Sequence, residues 1–180
     1  MSRHNLGANL VVCLMAVKGG STDCDDGFAV MRSFFARAHV DRNQLMLADG
    51  DGGNPVDRVT PRAAVELLRY WLGCPEGATF RHLLPVLGVD GSLASVATTS
   101  PARGKVFAKT GTIAAYDPLN TRVSLTKALA GYLEVRPGRF ATFGLVVNGA
   151  VVPDITGVLK VNDDLGAIAA LLQQEAARGG

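Results

Sequence analysis

The order of hydrophobic patterns along the chain predicts an α+β fold: helices first, then an antiparallel sheet, then one helix to cover it. Three observations carry this expectation. Apolar residues recur at helical spacing through the first 72 residues or so. Alternation of apolar and polar residues begins at Lys105 and returns in two later segments joined by a tight turn. A last helical pattern closes the chain.

In order, Asn5 to Lys18 places Leu6, Leu10, Cys13, Leu14 and Val17 at helical spacing, and Gly19-Gly20 ends that helix. Ser21-Thr22-Asp23 can cap a second helix, Asp25 to Val40, with Phe28, Met31, Phe34 and Phe35 inward. Gln44 to Ala48 reads as a short strand. Thr60-Pro61 starts a third helix, to about Leu72, with Thr at the N-cap and Pro in the first turn. Ala78 to Leu87 holds a short helix interrupted by Pro85, and Asp90 to Arg103 reads as loop. Strands are expected at Lys105–Lys109, Ala128–Val135 and Phe140–Asn148, with Arg136-Pro137-Gly138-Arg139 as the hairpin turn of the last two. Asn162 or Asp163 is expected to cap the final helix, Asp164 to Ala177.

Composition narrows the function. Hydrophobic residues make up 48% and charged residues 19%, a globular balance. A net charge of +2 without a dense Lys/Arg run argues against nucleic acid as partner. No apolar run reaches membrane-spanning length. Leu10 to Val17 lacks a following cleavage site, so it reads as a core helix and not as an export signal. The 3 cysteines show no zinc spacing. Cys13 and Cys24 are placed either to bridge neighbouring helices or to remain as buried thiols. The Asp49-Gly50-Asp51-Gly52-Gly53-Asn54-Pro55 stretch superficially resembles a calcium loop, but it lacks the closing glutamate and reads as a glycine-rich turn.

The motif with chemical content is Lys109-Thr110-Gly111-Thr112, at the end of the first strand of the late sheet. Acyl-serine transferases need positive charge and hydroxyls in such a place. Several further blocks keep it company: Asn5-Leu6-Gly7-Ala8-Asn9, Asp49-Gly50, Arg58-Val59-Thr60-Pro61-Arg62, Leu84-Pro85, Gly88-Val89-Asp90-Gly91-Ser92-Leu93, Gly104 to Thr112, Lys127 to Tyr132, and Val147-Asn148. In that order the blocks resemble the penicillin-binding D-alanyl-D-alanine carboxypeptidases and endopeptidases of peptidase family S13.

The resemblance implies a β-lactamase/transpeptidase-like fold, an antiparallel sheet flanked by helices, and a serine acyl-enzyme needing no cofactor or metal. It implies a peptidoglycan stem peptide ending in D-Ala-D-Ala, or a β-lactam, as ligand, and an extracytoplasmic location. Lys109 would offer its ammonium to the substrate carboxylate or to the serine of the family's second motif. Thr110 would bind the same carboxylate, Gly111 would let the substrate backbone lie close, and the Thr112 amide would form half of the oxyanion hole. In the second motif, Asn5 matches the family asparagine; Arg3 stands where the serine should, and Ser2 is the nearest serine. His4 reads as a surface residue.

The family's nucleophile motif, Ser-x-x-Lys, belongs upstream of Asn5. The one match in this chain, Ser124-Leu125-Thr126-Lys127, follows the Lys-Thr-Gly strand and reads as a coincidence. Residues 1–180 are therefore expected to be the C-terminal portion of a transpeptidase-like domain, inactive alone, with an unpaired edge on the late sheet. Two other readings stand beside this one: a non-catalytic peptidoglycan-binding or regulatory remnant, and a β-lactamase-like amide hydrolase.

Overall fold

The computed structural model describes residues 5–179. They belong to two compact units, Ser2–Tyr70 and Trp71–Gly180.

In the first unit, α1 (Asn5–Lys18) leads to a 3-10 turn at Cys24–Asp26 and then α2 (Gly27–Arg37). The Asp23 side chain caps that turn, accepting from the Asp25 amide at 3.0 Å. A disulfide joins Cys13 to Cys24, so the bridged alternative holds. Strands β1 (Leu45–Met46) and β2 (Arg58–Val59) pair antiparallel. Helix α3 (Pro61–Leu72) starts as expected, with Thr60 Oγ1 accepting from the Ala63 amide at 3.1 Å. Ala38, Val40 and Ala63 form the buried centre, flanked by Phe34, Phe35, Leu45, Leu67 and Tyr70.

The buried side of α1 differs from the sequence expectation. Val12 and Ala16 are buried, while Leu6, Leu10, Leu14 and Val17 are exposed. The cause is close backbone approach. A Cβ on Gly27 would lie 2.1 Å from the Val12 carbonyl oxygen, and one on Gly50 would lie 2.4 Å from that of Ala8. The small-residue face of α1 fits against those glycines, and the leucines are left on the other side. The Asp49–Gly53 turn is tied to the same helix, since Asn9 Oδ1 accepts from the Gly50 amide at 2.7 Å and Asn9 Nδ2 donates to Asp51 at 3.2 Å.

In the second unit, α4 (Gly77–His82) is followed by a 3-10 turn at Gly91–Leu93 and three long strands: β3 (Val106–Asp117), β4 (Arg122–Arg136) and β5 (Arg139–Val152). Their order is β3-β4-β5, antiparallel throughout. Pro137-Gly138 makes the β4–β5 turn, with Gly138 at φ 75°, as a Pro-Gly turn requires. Helix α5 (Ile155–Gly179) begins earlier than the sequence reading, because Asp154 and not Asn162 or Asp163 caps it. Asp154 Oδ1 accepts from the amides of Thr156 at 2.8 Å and Gly157 at 3.2 Å. Among the described residues, no helix is long and apolar enough to cross a membrane.

One sheet face packs on α5. Val106, Ala108, Leu129, Leu133 and Phe143 from the strands meet Leu165, Ala169 and Ala170 from the helix, with Leu87, Leu93 and Val96 completing the cluster. Full burial of one such leucine contributes about 1.5–3 kcal/mol. On the opposite face, Phe80 of α4 stacks on Trp71 at 4.9 Å and meets Tyr132 edge-on at 6.4 Å.

Tyr132 is fully buried, and burial pushes its phenol up from 10.0 to about 12. Above pH ~10 the unfolded chain loses that proton while the folded chain keeps it. Stability should therefore be intact below pH ~10 and fall by roughly 2–3 kcal/mol as pH rises to about 12. Urea unfolding at pH 9 and pH 11.5 tests this. Tyr132→Phe should flatten the alkaline loss, and a variant that loses stability in parallel with the wild type would refute the assignment.

Candidate functional site at the outer edge of the sheet

The site is built by a strand that gains its cover only at its start. Val86 forms an isolated antiparallel bridge with Phe107. The Leu87 amide donates to Val106 O at 2.9 Å, and the Ala108 amide donates to Pro85 O at 2.9 Å. The bridging segment is held by Asp90, whose carboxylate accepts from the Val86 amide at 2.8 Å, and by Arg103 Nε donating to Gly88 O at 3.0 Å. Among the described residues, Ala108 makes the last backbone bond on that edge of β3.

Backbone polarity alternates along a strand. Val106 and Ala108 direct N–H and C=O outward, so Thr110 and Thr112 do the same, onto an edge without a strand partner among the described residues. Odd-numbered residues bond to β4 instead. The sequence-predicted Lys109, Thr110, Gly111 and Thr112 thus lie together on this edge, opposite Ala130, Leu129, Ala128 and Lys127 of β4.

Side chains alternate as well. Lys109 is exposed, and its Nζ donates to the Thr110 carbonyl oxygen at 2.6 Å. Thr110 is buried at 8% exposure on the α5 face, where Oγ1 donates to Ser92 Oγ at 3.0 Å. Thr112 shares that face and accepts from Lys127 Nζ at 3.1 Å. A Cβ on Gly111 would meet only the Ala128 Cβ, at 3.6 Å, an ordinary contact. Nothing in the sheet's own packing requires glycine there.

Asn5 is exposed and is the first residue of α1, in the other unit. Ser2 and His4 lie outside the described residues. Ser124 and Lys127 sit in β4, three residues apart and so on opposite faces. Ser124 is exposed and Lys127 buried, which is not the one-face helical arrangement a nucleophile and its activating lysine need. A bulge beside them, between Leu125 and Lys127, carries Gly149 at φ 67°. The open hollow of about 530 Å³ around Arg81, Phe107 and Phe140 contains none of the residues anticipated from the sequence.

Two polar neighbours of the motif went unrecognised in the sequence, Ser92 and Lys127. Ser92 gives no local signal, because it approaches Thr110 from 18 positions away. Lys127 does give one. It stands between Leu125 and Leu129 at period two, on the apolar face, and is only 6% exposed.

An antiparallel sheet backed by a C-terminal helix, with a lysine-bearing strand open at its edge, is the transpeptidase-like α+β arrangement. Two solved structures share it. Penicillin binding protein 4 from Haemophilus influenzae, complexed with a novel beta-lactam, superposes with a TM-score of 0.68 at 21% identity, covering 81% of this chain and 32% of that one. Another structure of that protein gives a TM-score of 0.64 at 22% identity, covering 81% and 31%. Residues 2–170 match the D-Ala-D-Ala carboxypeptidase 3 (S13) family, and the chain belongs to that family. It is 33% identical over 135 residues to the D-alanyl-D-alanine carboxypeptidase of Actinomadura sp. (strain R39). That alignment covers 72% of this chain and 23% of the relative, so the chain spans about a quarter of the relative's length.

Proposed function

We propose that this chain supplies the substrate-binding strand of a serine-type D-Ala-D-Ala carboxypeptidase or endopeptidase, acting on peptidoglycan through an acyl-enzyme. The observation that carries the reading is the unpaired edge of β3 at Thr110 and Thr112, beside the Lys109 ammonium. A peptide laid along that edge adds as a strand. Gly111 leaves its backbone room, and the outward Thr112 amide would serve as a donor to a developing oxyanion. Lys109 and Thr110 receive the C-terminal carboxylate. Asn5, with Ser2 in place of the usual second-motif serine, would assist proton transfer.

Under this reading residues 1–180 form the C-terminal portion of a transpeptidase-like domain and do not contain the attacking serine. The strand placement of Ser124 and Lys127 supports that part. The same observation favours a second reading, in which these residues bind D-Ala-D-Ala ends or β-lactams without turning them over. The Cys13–Cys24 disulfide supports an extracytoplasmic site, since such bridges persist in oxidising compartments.

Incubation of the chain with benzylpenicillin, followed by intact mass measurement, tests the acylation half. No adduct is expected on these 180 residues. A stable penicilloyl adduct would place a competent nucleophile among them and overturn that half. Binding of an N-acyl-D-Ala-D-Ala peptide, read from the amide resonances of Thr110 and Thr112, tests the other. Their failure to move at millimolar peptide would remove the peptide reading.

A further inference from the structure

We propose that Ser92 and Lys127 complete the carboxylate-recognition site on the edge of β3, Ser92 by touching the anion and Lys127 by positioning Thr112. The inference rests on the reading that a ligand lies along this edge, and it adds two residues to that reading.

Hydrogen counting leads to it. A serine or threonine hydroxyl has one hydrogen to give. Thr110 gives its hydrogen to Ser92, so the pair retains the Ser92 hydrogen, on an exposed side chain. If the bond runs the other way, the Thr110 hydrogen is the one retained; either way one donor remains for an outside acceptor. Lys127 gives a hydrogen to Thr112 Oγ1, so the Thr112 hydroxyl must aim its own hydrogen elsewhere. The outward amides of Thr110 and Thr112 add two further donors, while Lys109 occupies the Thr110 carbonyl. The edge is therefore rich in unspent N–H and O–H groups. A carboxylate, which only accepts and has about four lone-pair positions, is their chemical complement.

Charge points the same way. Lys109 and Lys127 reach this segment from opposite faces of the sheet, one bonded to Thr110 and the other to Thr112. An anion on the edge would sit between two ammoniums. Keeping a lysine at 6% exposure is costly, and its Nζ lies within 3.1 Å of Thr112 Oγ1, the side chain on the open strand that it would position. Ser92 is fixed for its part by the adjoining Leu93, which is fully buried and whose carbonyl accepts from the Gly88 amide at 2.9 Å.

Nuclear magnetic resonance of the ¹⁵N-labelled chain tests the proposal with two probes, N-acetyl-D-alanine and N-acetyl-D-alaninamide, which differ only in the carboxylate. The Thr110 and Thr112 amides should report the acid binding about ten-fold more tightly than the amide. Ser92→Ala and Lys127→Met should each cut that preference several-fold, leaving the part that Lys109 supplies, and Ser92→Thr should restore it. A merely structural role would weaken both probes alike. If the wild-type preference persists in both variants, the proposal is overturned while a carboxylate site on Lys109 survives. Should Lys127→Met fail to fold, Ser92→Ala at its exposed position decides, and an unchanged preference there refutes the site.

A third probe, N-acetyl-D-Ala-D-Ala, separates this proposal from the reading beneath it. A Ser92-dependent acid preference with no gain from the second D-alanine sustains the site and removes the peptidoglycan ligand. No response of the edge amides to any probe overturns both.

Discussion

Replacing Gly131 with alanine is expected to destabilise the sheet by at least about 3 kcal/mol, enough to unfold a marginal domain. Gly131 pairs with Ala108 in the middle of β4, just before the fully buried Tyr132. A Cβ there would lie 2.0 Å from the Phe107 carbonyl oxygen and 2.6 Å from the Ala108 Cα. Both are backbone atoms of the adjoining strand, so no rotamer change relieves the contact. Relief would require separating β3 from β4 where Val106 and Ala108 enter the core. Overpacking usually costs 1–3 kcal/mol where side chains can move; this collision lies above that range. Gly111→Ala is the matched control, because its Cβ meets only a methyl at 3.6 Å. Thermal unfolding followed by circular dichroism should show a much lower midpoint for Gly131→Ala and a nearly unchanged one for Gly111→Ala. Equal midpoints would mean that β3 and β4 do not close on Gly131 in this way.

That contrast indicates what the sequence could and could not disclose. Gly131 lies in the Lys127–Tyr132 block that helped mark the family, yet nothing local says that its hydrogen touches another strand. Strand length is also greater than the sequence pattern discloses. Lys105–Lys109 shows clean alternation, but Ile113, Ala114, Ala115 and Tyr116 continue the strand with weak contrast because both faces there are exposed. Helix α1 shows the converse error. Its leucines carry the obvious stripe, but glycines distant in sequence select the small-residue face for burial. The fold class and the Lys109–Thr112 segment were legible because periodicity and a motif are local signals. Ser92 was not, because its contact with Thr110 is made by the return of the chain. Lys127 stands in plain view, as a charge in an apolar register, but neither its place in the family-like block nor the Ser124-x-x-Lys127 match points to Thr112.

The second large effect belongs to Lys109. Lys109→Ala should weaken binding of an N-acyl-D-Ala-D-Ala peptide by about 10- to 100-fold, the cost of one charge-assisted hydrogen bond of roughly 1.5–3 kcal/mol. Its ammonium also donates to the Thr110 carbonyl, so truncation leaves an extra acceptor on the edge facing an anion. Lys109 is exposed, and its removal opens no cavity. Stability should therefore change by less than about 0.5 kcal/mol, which separates lost recognition from lost fold. Salt provides a further check. An exposed charge is screened at a Debye length of about 8 Å in physiological salt and about 3 Å at 1 M, so the wild-type advantage over Lys109→Ala should shrink between those conditions. Arginine at position 109 should recover part of the affinity, since it retains the charge in a planar fork that does not reproduce the compact ammonium bond to Thr110. Unchanged peptide affinity in Lys109→Ala, with the fold intact, would mean that the edge of β3 does not read a carboxylate through this residue.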